Sequence, residues 1–216
     1  MSPLFDEDNY KVKLPIAKKV IELSYLKANS IKTNCKINDE IIISADTEVF
    51  RCGKVFSKCF SKDDVKSHLS QLSGRKHFVY GGICIIDNMG NIYKKLVKSE
   101  VYFDFISSKE LTNPILLNEG IGKAGGYAIQ GTGGKFVRKI RGSYSNVVGL
   151  CLNNLYKILI DIGFKNWIFF FPVVITLFIN QIAQVAQLVE QATENRCVGG
   201  SIPPLGTMCL WEKFYF

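Results

Sequence analysis

Histidine is nearly absent from this chain, with only His68 and His77 in 216 residues. The seven cysteines are scattered, odd in number and never spaced C-x-x-C. Those two shortages exclude the usual zinc-finger sites. Scattered thiols without a leader read as reduced, so a cytoplasmic protein is expected. The first ten residues, MSPLFDEDNY, contain neither a basic stretch nor an apolar core, which excludes a secretory signal there. A long hydrophobic run is also missing. The apolar stretch WIFFFPVVITLFI (167–179) has thirteen residues and an internal proline, against roughly 20 for a spanning helix, so no membrane partner is expected. No internal repeat is present. Acid is in short supply relative to base, giving a net charge of +8. The basic residues show no aromatic interleaving along the chain and no known motif, so no nucleic-acid partner is expected.

What is present is a globular composition, 47% apolar and 21% charged. The charge is uneven: 24 bases face 16 acids over residues 1–164, whereas residues 165–216 carry three of each. This asymmetry divides the chain into a domain, 1–164, and a tail of different character, 165–216. Within the domain, Leu14, Ala17, Ile21, Ser24 and Ala28 keep the spacing of an amphipathic helix. The run EIIISADTEVF (40–50) predicts a buried strand with Asp46-Thr47 at its polar exit. Ser61 and Asp64 form a capping-box pattern before a helix that Gly74 stops. FVYGGICIID (78–87) predicts a strand whose Gly81-Gly82 pair marks a bulge or a close backbone approach. After the turn NMGN, residues 92–105 predict a further strand. Ser107 and Glu110 suggest a second capping box before a helix interrupted by Pro114. Short strands are expected at Tyr127–Gln130 and Lys135–Ile140, then a last helix capped by Asn146 and stopped by Gly163. The elements together predict an α/β class with a mixed sheet.

Two nucleotide fingerprints fail. Gly120, Gly122 and Gly125 match G-x-G-x-x-G, but no convincing strand precedes them and no acid follows about 20 residues later. A G-x-x-x-x-G-K-[ST] loop is excluded because Phe136 follows Lys135 and Ile129 stands where the first glycine should be. Seven of the sixteen residues from Gly120 to Lys135 are nevertheless glycine. So bare a backbone either serves tight turns or brings N–H donors close to phosphate, with Lys123 and Lys135 alongside. Asp46 invites two readings as well: a carboxylate that caps the next turn, or one that binds Mg²⁺ or orients water for phosphoryl chemistry.

Taken in order, LSYLKA (23–28), ISADTEV (43–49), GKVFSK (53–58), LSGRKHFVYGG (72–82), KAGGYAIQG (123–131) and GSYSNVVGL (142–150) resemble the Maf family of nucleoside triphosphate pyrophosphatases. The resemblance implies an α/β fold of the Maf and inosine-triphosphatase kind, a mixed bent sheet with flanking helices in two lobes around a cleft. It implies hydrolysis of a nucleoside triphosphate, dTTP or UTP in the branch that YAIQG resembles, to monophosphate and pyrophosphate. Asp46 is then the proton acceptor beside a divalent metal cation, Mg²⁺ or Mn²⁺, and its metal ligand. Lys27, Lys58 and Lys123 are the cleft lysines that neutralise the triphosphate, and Thr47 and Gln130 hold the specificity positions. A homodimer is implied too.

The resemblance also has gaps. The family's opening strand and its serine–arginine turn have no counterpart before Leu14, which implies weak or absent turnover. The alternative function is then a non-catalytic nucleotide-binding remnant or a division-related interaction protein. Cys59 and Cys151 stand where proline is usual, Gly81 replaces threonine, and Gly122 replaces aspartate. Residues 185–207 resemble the translation of a transfer-RNA gene read on the opposite strand, so the tail is expected to be read-through and poorly ordered.

Overall fold

The computed structural model describes residues 14–34 and 41–164. The tail 165–216 and the apolar run 167–179 lie outside the described residues. Among the described residues no helix is long and apolar enough to cross a membrane.

Helix α1 (Ile16–Asn34) precedes strands β1 (Ile42–Arg51) and β2 (Lys54–Phe56), then helix α2 (Lys62–Leu72). Strands β3 (Lys76–Ile86) and β4 (Ile92–Phe103) follow, then α3 (Pro114–Gly120), β5 (Val137–Arg141), α4 (Tyr144–Val148) and α5 (Leu152–Asp161). The sheet order is β2-β1-β3-β4-β5, and every ladder between these strands is antiparallel. The α/β class with flanking helices is as expected, with the described part of the sheet antiparallel rather than mixed.

Alternation along the strands divides the layers. Val79, Val101 and Phe103 pack with Val65, Leu69 and Leu72 of α2 and Leu116 of α3. Ile83 and Ile85 pack with Leu155 and Leu159 of α5. The opposite face carries α1, where Ala28 meets Ile42, Cys84 and Ile86. The two glycines of β3 make both contacts close. A Cβ on Gly82 would lie 2.2 Å from the Val20 carbonyl oxygen of α1, and one on Gly81 would lie 2.0 Å from Asn146 Oδ1. Pairing with β1 and β4 runs through both glycines without interruption, so they mark a close approach and not a bulge.

Several local readings hold. Ser61 accepts from the Asp64 amide while the Asp64 carboxylate accepts from the Ser61 amide, a complete capping box for α2. Gly74 (φ 67°) and Gly163 (φ 75°) take the left-handed turns that follow α2 and α5. Others need correction. Pro114 opens α3 at its first turn, where a missing N–H costs nothing, and so does not interrupt a helix. Ser143, not Asn146, caps α4; Asn146 is buried and donates to the Val79 carbonyl and Ser99 Oγ. Residues 127–128 have no regular structure and 129–130 form a turn, and the expected strand at Lys135–Ile140 begins at Val137 after a 3-10 turn, Thr132–Phe136.

Lysine–aromatic pairing appears both across strands, from β4 to β3, and along β3 itself. On the part of the sheet beyond α1, Lys98 Nζ sits 4.0 Å from the Phe78 ring centre and Lys76 Nζ 5.1 Å from it. Phe50 meets Tyr80 edge to face at 6.1 Å.

The backbone approach at Gly82 yields a direct prediction. Gly82→Ala drives a methyl into the main chain of α1, which has no side-chain freedom with which to yield. We expect a loss of about 1–3 kcal/mol in urea unfolding, whereas ordinary van der Waals tolerance at that site would leave the midpoint unmoved.

Candidate active site

Asp46 lies within β1, opposite Gly82 of β3, and is not at the strand's exit as its polar neighbours suggested. The strand continues to Arg51 because Val49 and Phe50 keep pairing with Val79 and Phe78. Asp46 is buried at 6% exposure, and Lys27 of α1 donates to its Oδ1 at 2.6 Å. Asp46 Oδ2 is buried without a hydrogen-bond partner among the described residues. Two residues along the same strand, buried Glu48 is held by Lys19 of α1. Two ion pairs therefore fasten α1 to β1, and Ser44 adds a hydrogen bond to the Ser24 carbonyl. Buried pairs of this kind hold position more than they stabilise.

The opposite wall comes from two distant segments. The Gly122 amide donates to the Cys59 carbonyl at 2.8 Å, and the Gly125 amide to the Phe56 carbonyl at 2.9 Å. The Cys59 amide returns a bond to the Lys123 carbonyl, and Lys58 bridges to Ala124. These bonds set Lys58 and Lys123 side by side although 65 residues separate them. Further on, the Glu119 carboxylate accepts from the amides of Thr132 and Gly133, fixing the far end of the glycine-rich stretch.

Between the walls is a cavity of about 270 Å³. All six residues singled out from the sequence line it: Lys27, Asp46, Thr47, Lys58, Lys123 and Gln130. The Thr47 hydroxyl donates to the Gly149 carbonyl at 3.2 Å, tying β1 to the end of α4. Three lysines converge there with one carboxylate, an arrangement that suits a polyanion able to meet a proton acceptor.

Three groups near the site escaped the sequence reading. Tyr127 lines the cavity, and its hydroxyl shares a hydrogen bond with His77 Nε2 at 2.8 Å. His77 has no exposed surface; burial, with Arg51 adding repulsion, holds its pKa down to about 3. Burial likewise raises the Tyr127 phenol. Cys59 Sγ lies 3.2 Å from His68 Nδ1, the look of a thiol–imidazole pair. Burial and the Asp64 charge push that thiol up to about 11, so it is protonated and inert at neutral pH. Among the described residues no group of three His, Cys, Asp or Glu side chains is placed to cage a metal by itself.

An α/β protein with a polar cleft, walled by an acidic strand and a lysine-bearing glycine strap, is the class this geometry defines. The sequence matches the family described as Maf-like protein over residues 1–162. A protein of Clostridium perfringens (strain SM101 / Type A) named dTTP/UTP pyrophosphatase is 43% identical over 157 residues, covering 72% of this chain and 81% of its own. A dTTP/UTP pyrophosphatase of Clostridium novyi is 41% identical over 160 residues, covering 74% and 83%. A nucleoside triphosphate pyrophosphatase of Neorickettsia sennetsu is 38% identical over 166 residues, covering 76% and 77%. The chain belongs to the Maf family.

His77 carries a pH signature. Its folded pKa lies below its ordinary value near 6.5, so between those values the unfolded chain holds a proton that the folded chain refuses. The stability that neutral His77 permits is complete above about pH 6.5 and is lost as pH falls toward 3. Thermal unfolding between pH 7 and 5 should show the midpoint falling, and His77→Gln should flatten that slope. An equal slope in the variant contradicts the assignment.

Proposed function

We propose that this chain hydrolyses dTTP and UTP between the α and β phosphates, releasing monophosphate and pyrophosphate. The observation that carries this reading is the convergence of Lys27, Asp46, Lys58 and Lys123 on one cavity. The names of the relatives support it.

The reaction asks for three things. A triphosphate with about four negative charges must be neutralised before a nucleophile can approach. Lys58 and Lys123 supply cations on one wall. Water must be deprotonated as it attacks the α phosphorus. Asp46 suits that role: Lys27 occupies one oxygen and orients the carboxylate, leaving the other free to take the proton. As the new P–O bond forms, the bond to the β-phosphate oxygen breaks and pyrophosphate departs, its charge met by the lysines. Base choice falls to Gln130 and Thr47. The Gln130 amide offers both a donor and an acceptor, matching the carbonyl and N–H edge of uracil or thymine.

The family implies a divalent cation, and the residues fit one. Asp46 Oδ2 is a buried, hard oxygen donor without a partner. Mg²⁺ is commonly held by one or two carboxylates together with phosphate oxygens and water, so a single aspartate suffices. A carboxylate oxygen has more than one lone pair, so Oδ2 would share itself between the attacking water and a Mg²⁺ or Mn²⁺ ion held mainly by phosphate oxygens and water, and that ion would neutralise phosphate charge.

Pyrophosphate release from dTTP and UTP with Mg²⁺ or Mn²⁺ tests the proposal. Asp46→Asn should lower kcat by about 100-fold or more. An unchanged rate in that variant removes Asp46 from the chemistry, and no release from any nucleoside triphosphate sinks the reading.

A further inference from the structure

The glycine-rich strap that bears Lys123 and Gln130 has little regular structure of its own. Between Gly122 and Gly131 it consists of turns and extended residues. A segment so poor in side chains and ladder bonds samples many conformations unless something anchors it. Its lysine end is anchored by the bonds to Phe56 and Cys59, and beyond Gly131 it is anchored by Glu119. Between these points the strap buries Tyr127, Ala128 and Ile129, and of these three side chains only that of Tyr127 carries a polar group, which reaches the sheet at His77.

The glycine-rich chain closes on the Tyr127 side chain at two points. A Cβ on Gly125 would lie 3.2 Å from Tyr127 Cε1, and one on Gly133 would lie 2.8 Å from Tyr127 Cβ. The chain therefore folds around the ring with glycine where it passes closest. The ring is also held by edge contacts with Phe103 (4.8 Å) and His77 (5.6 Å). His77 rests edge-on against Phe103 at 4.8 Å, and its Nε2 meets the Tyr127 hydroxyl. His77 is placed by β3, the strand that also pairs with Asp46. The hydrogen bond thus joins the strap to the sheet that holds the carboxylate. Packing alone would fill the space. A polar atom pair sealed in an apolar core adds a direction, because a displaced ring leaves a hydroxyl and an imidazole nitrogen stranded. His77 Nδ1 already has no partner, so the imidazole can tolerate little further loss.

We propose that Tyr127 and His77 are positioning residues that set the distance between Gln130 on the strap and Asp46 on the sheet. They touch neither the α phosphorus nor the attacking water. Their effect is on the fraction of molecules whose strap is ready to receive a base, and a reduced fraction raises apparent KM and Kd in proportion. The inference rests on the pyrophosphatase reading above.

The test is Tyr127→Phe, which keeps the ring and removes only the hydroxyl. The KM for UTP should rise about three- to tenfold with kcat changed less than about twofold. The Kd of the non-hydrolysable analogue α,β-methylene-UTP should rise in parallel. Amide exchange over residues 123–131 should quicken by a similar factor while β3 stays protected. His77→Leu should reproduce these changes, and His77→Gln, which retains a polar partner for the phenol, should restore most of the wild-type KM. A merely structural role lowers the melting temperature without separating KM from kcat and without rescue by glutamine. If Tyr127→Phe fails to fold, the His77→Leu and His77→Gln pair separates the same two outcomes. A working wild type whose variants keep its KM overturns the positioning role alone. A wild type that neither binds the analogue nor releases pyrophosphate overturns the proposed function, and this inference with it.

Discussion

The close seating of α1 on the sheet is the constraint from which the rest of the cleft follows. Gly82 lets the helix backbone descend to a distance that no side chain at that position would allow. At that depth Lys27 reaches Asp46 and Lys19 reaches Glu48, so each buried carboxylate has a cation against it. An isolated buried carboxylate would take up a proton or distort the fold. Here the lysine holds one oxygen of Asp46 and leaves the other without a partner. The proposed chemistry uses that remaining oxygen.

The facing wall meets a different demand. It brings two lysines and the Gln130 amide to the cavity with little regular structure, because helix and strand would fill the cleft with their own side chains. Glycine solves the steric part and creates a conformational one. The answer is attachment at intervals: backbone bonds to the end of β2, the Glu119 carboxylate at Thr132 and Gly133, and the buried ring of Tyr127.

Features governed by neighbours in the chain were legible before any coordinates. The capping box at Ser61 and Asp64 is a contact across three residues, and the helical spacing from Leu14 to Ala28 is similarly local. The Gly81-Gly82 pair signalled either a bulge or a close approach, and the unbroken pairing with β1 and β4 decides for the close approach. The cleft residues Lys27, Asp46, Thr47, Lys58, Lys123 and Gln130 were named through family resemblance, since their assembly depends on pairing across the whole domain. Local reasoning failed where distant contacts decide. Tyr127–Gln130 has strand-like residues, but left-handed Gly125 and Gly126 (φ 75° and 74°) turn the chain immediately before it. Asn146 has the chemistry of a helix cap, yet Gly81 opens a space that draws it into the core. The pairs of Lys98 with Phe78 and Tyr80 join β4 to β3, so no reading along one strand could reveal them. His77 gave no signal beyond its rarity.

The central claim is that one nucleoside triphosphate spans both walls of this cleft. Titration of α,β-methylene-dTTP into the isotopically labelled protein, followed by backbone amide shifts, tests it most directly. The account predicts saturable perturbations at Asp46, Thr47, Lys58, Lys123 and Gln130 together. Perturbations confined to another surface, with those five amides unmoved at saturation, would contradict it.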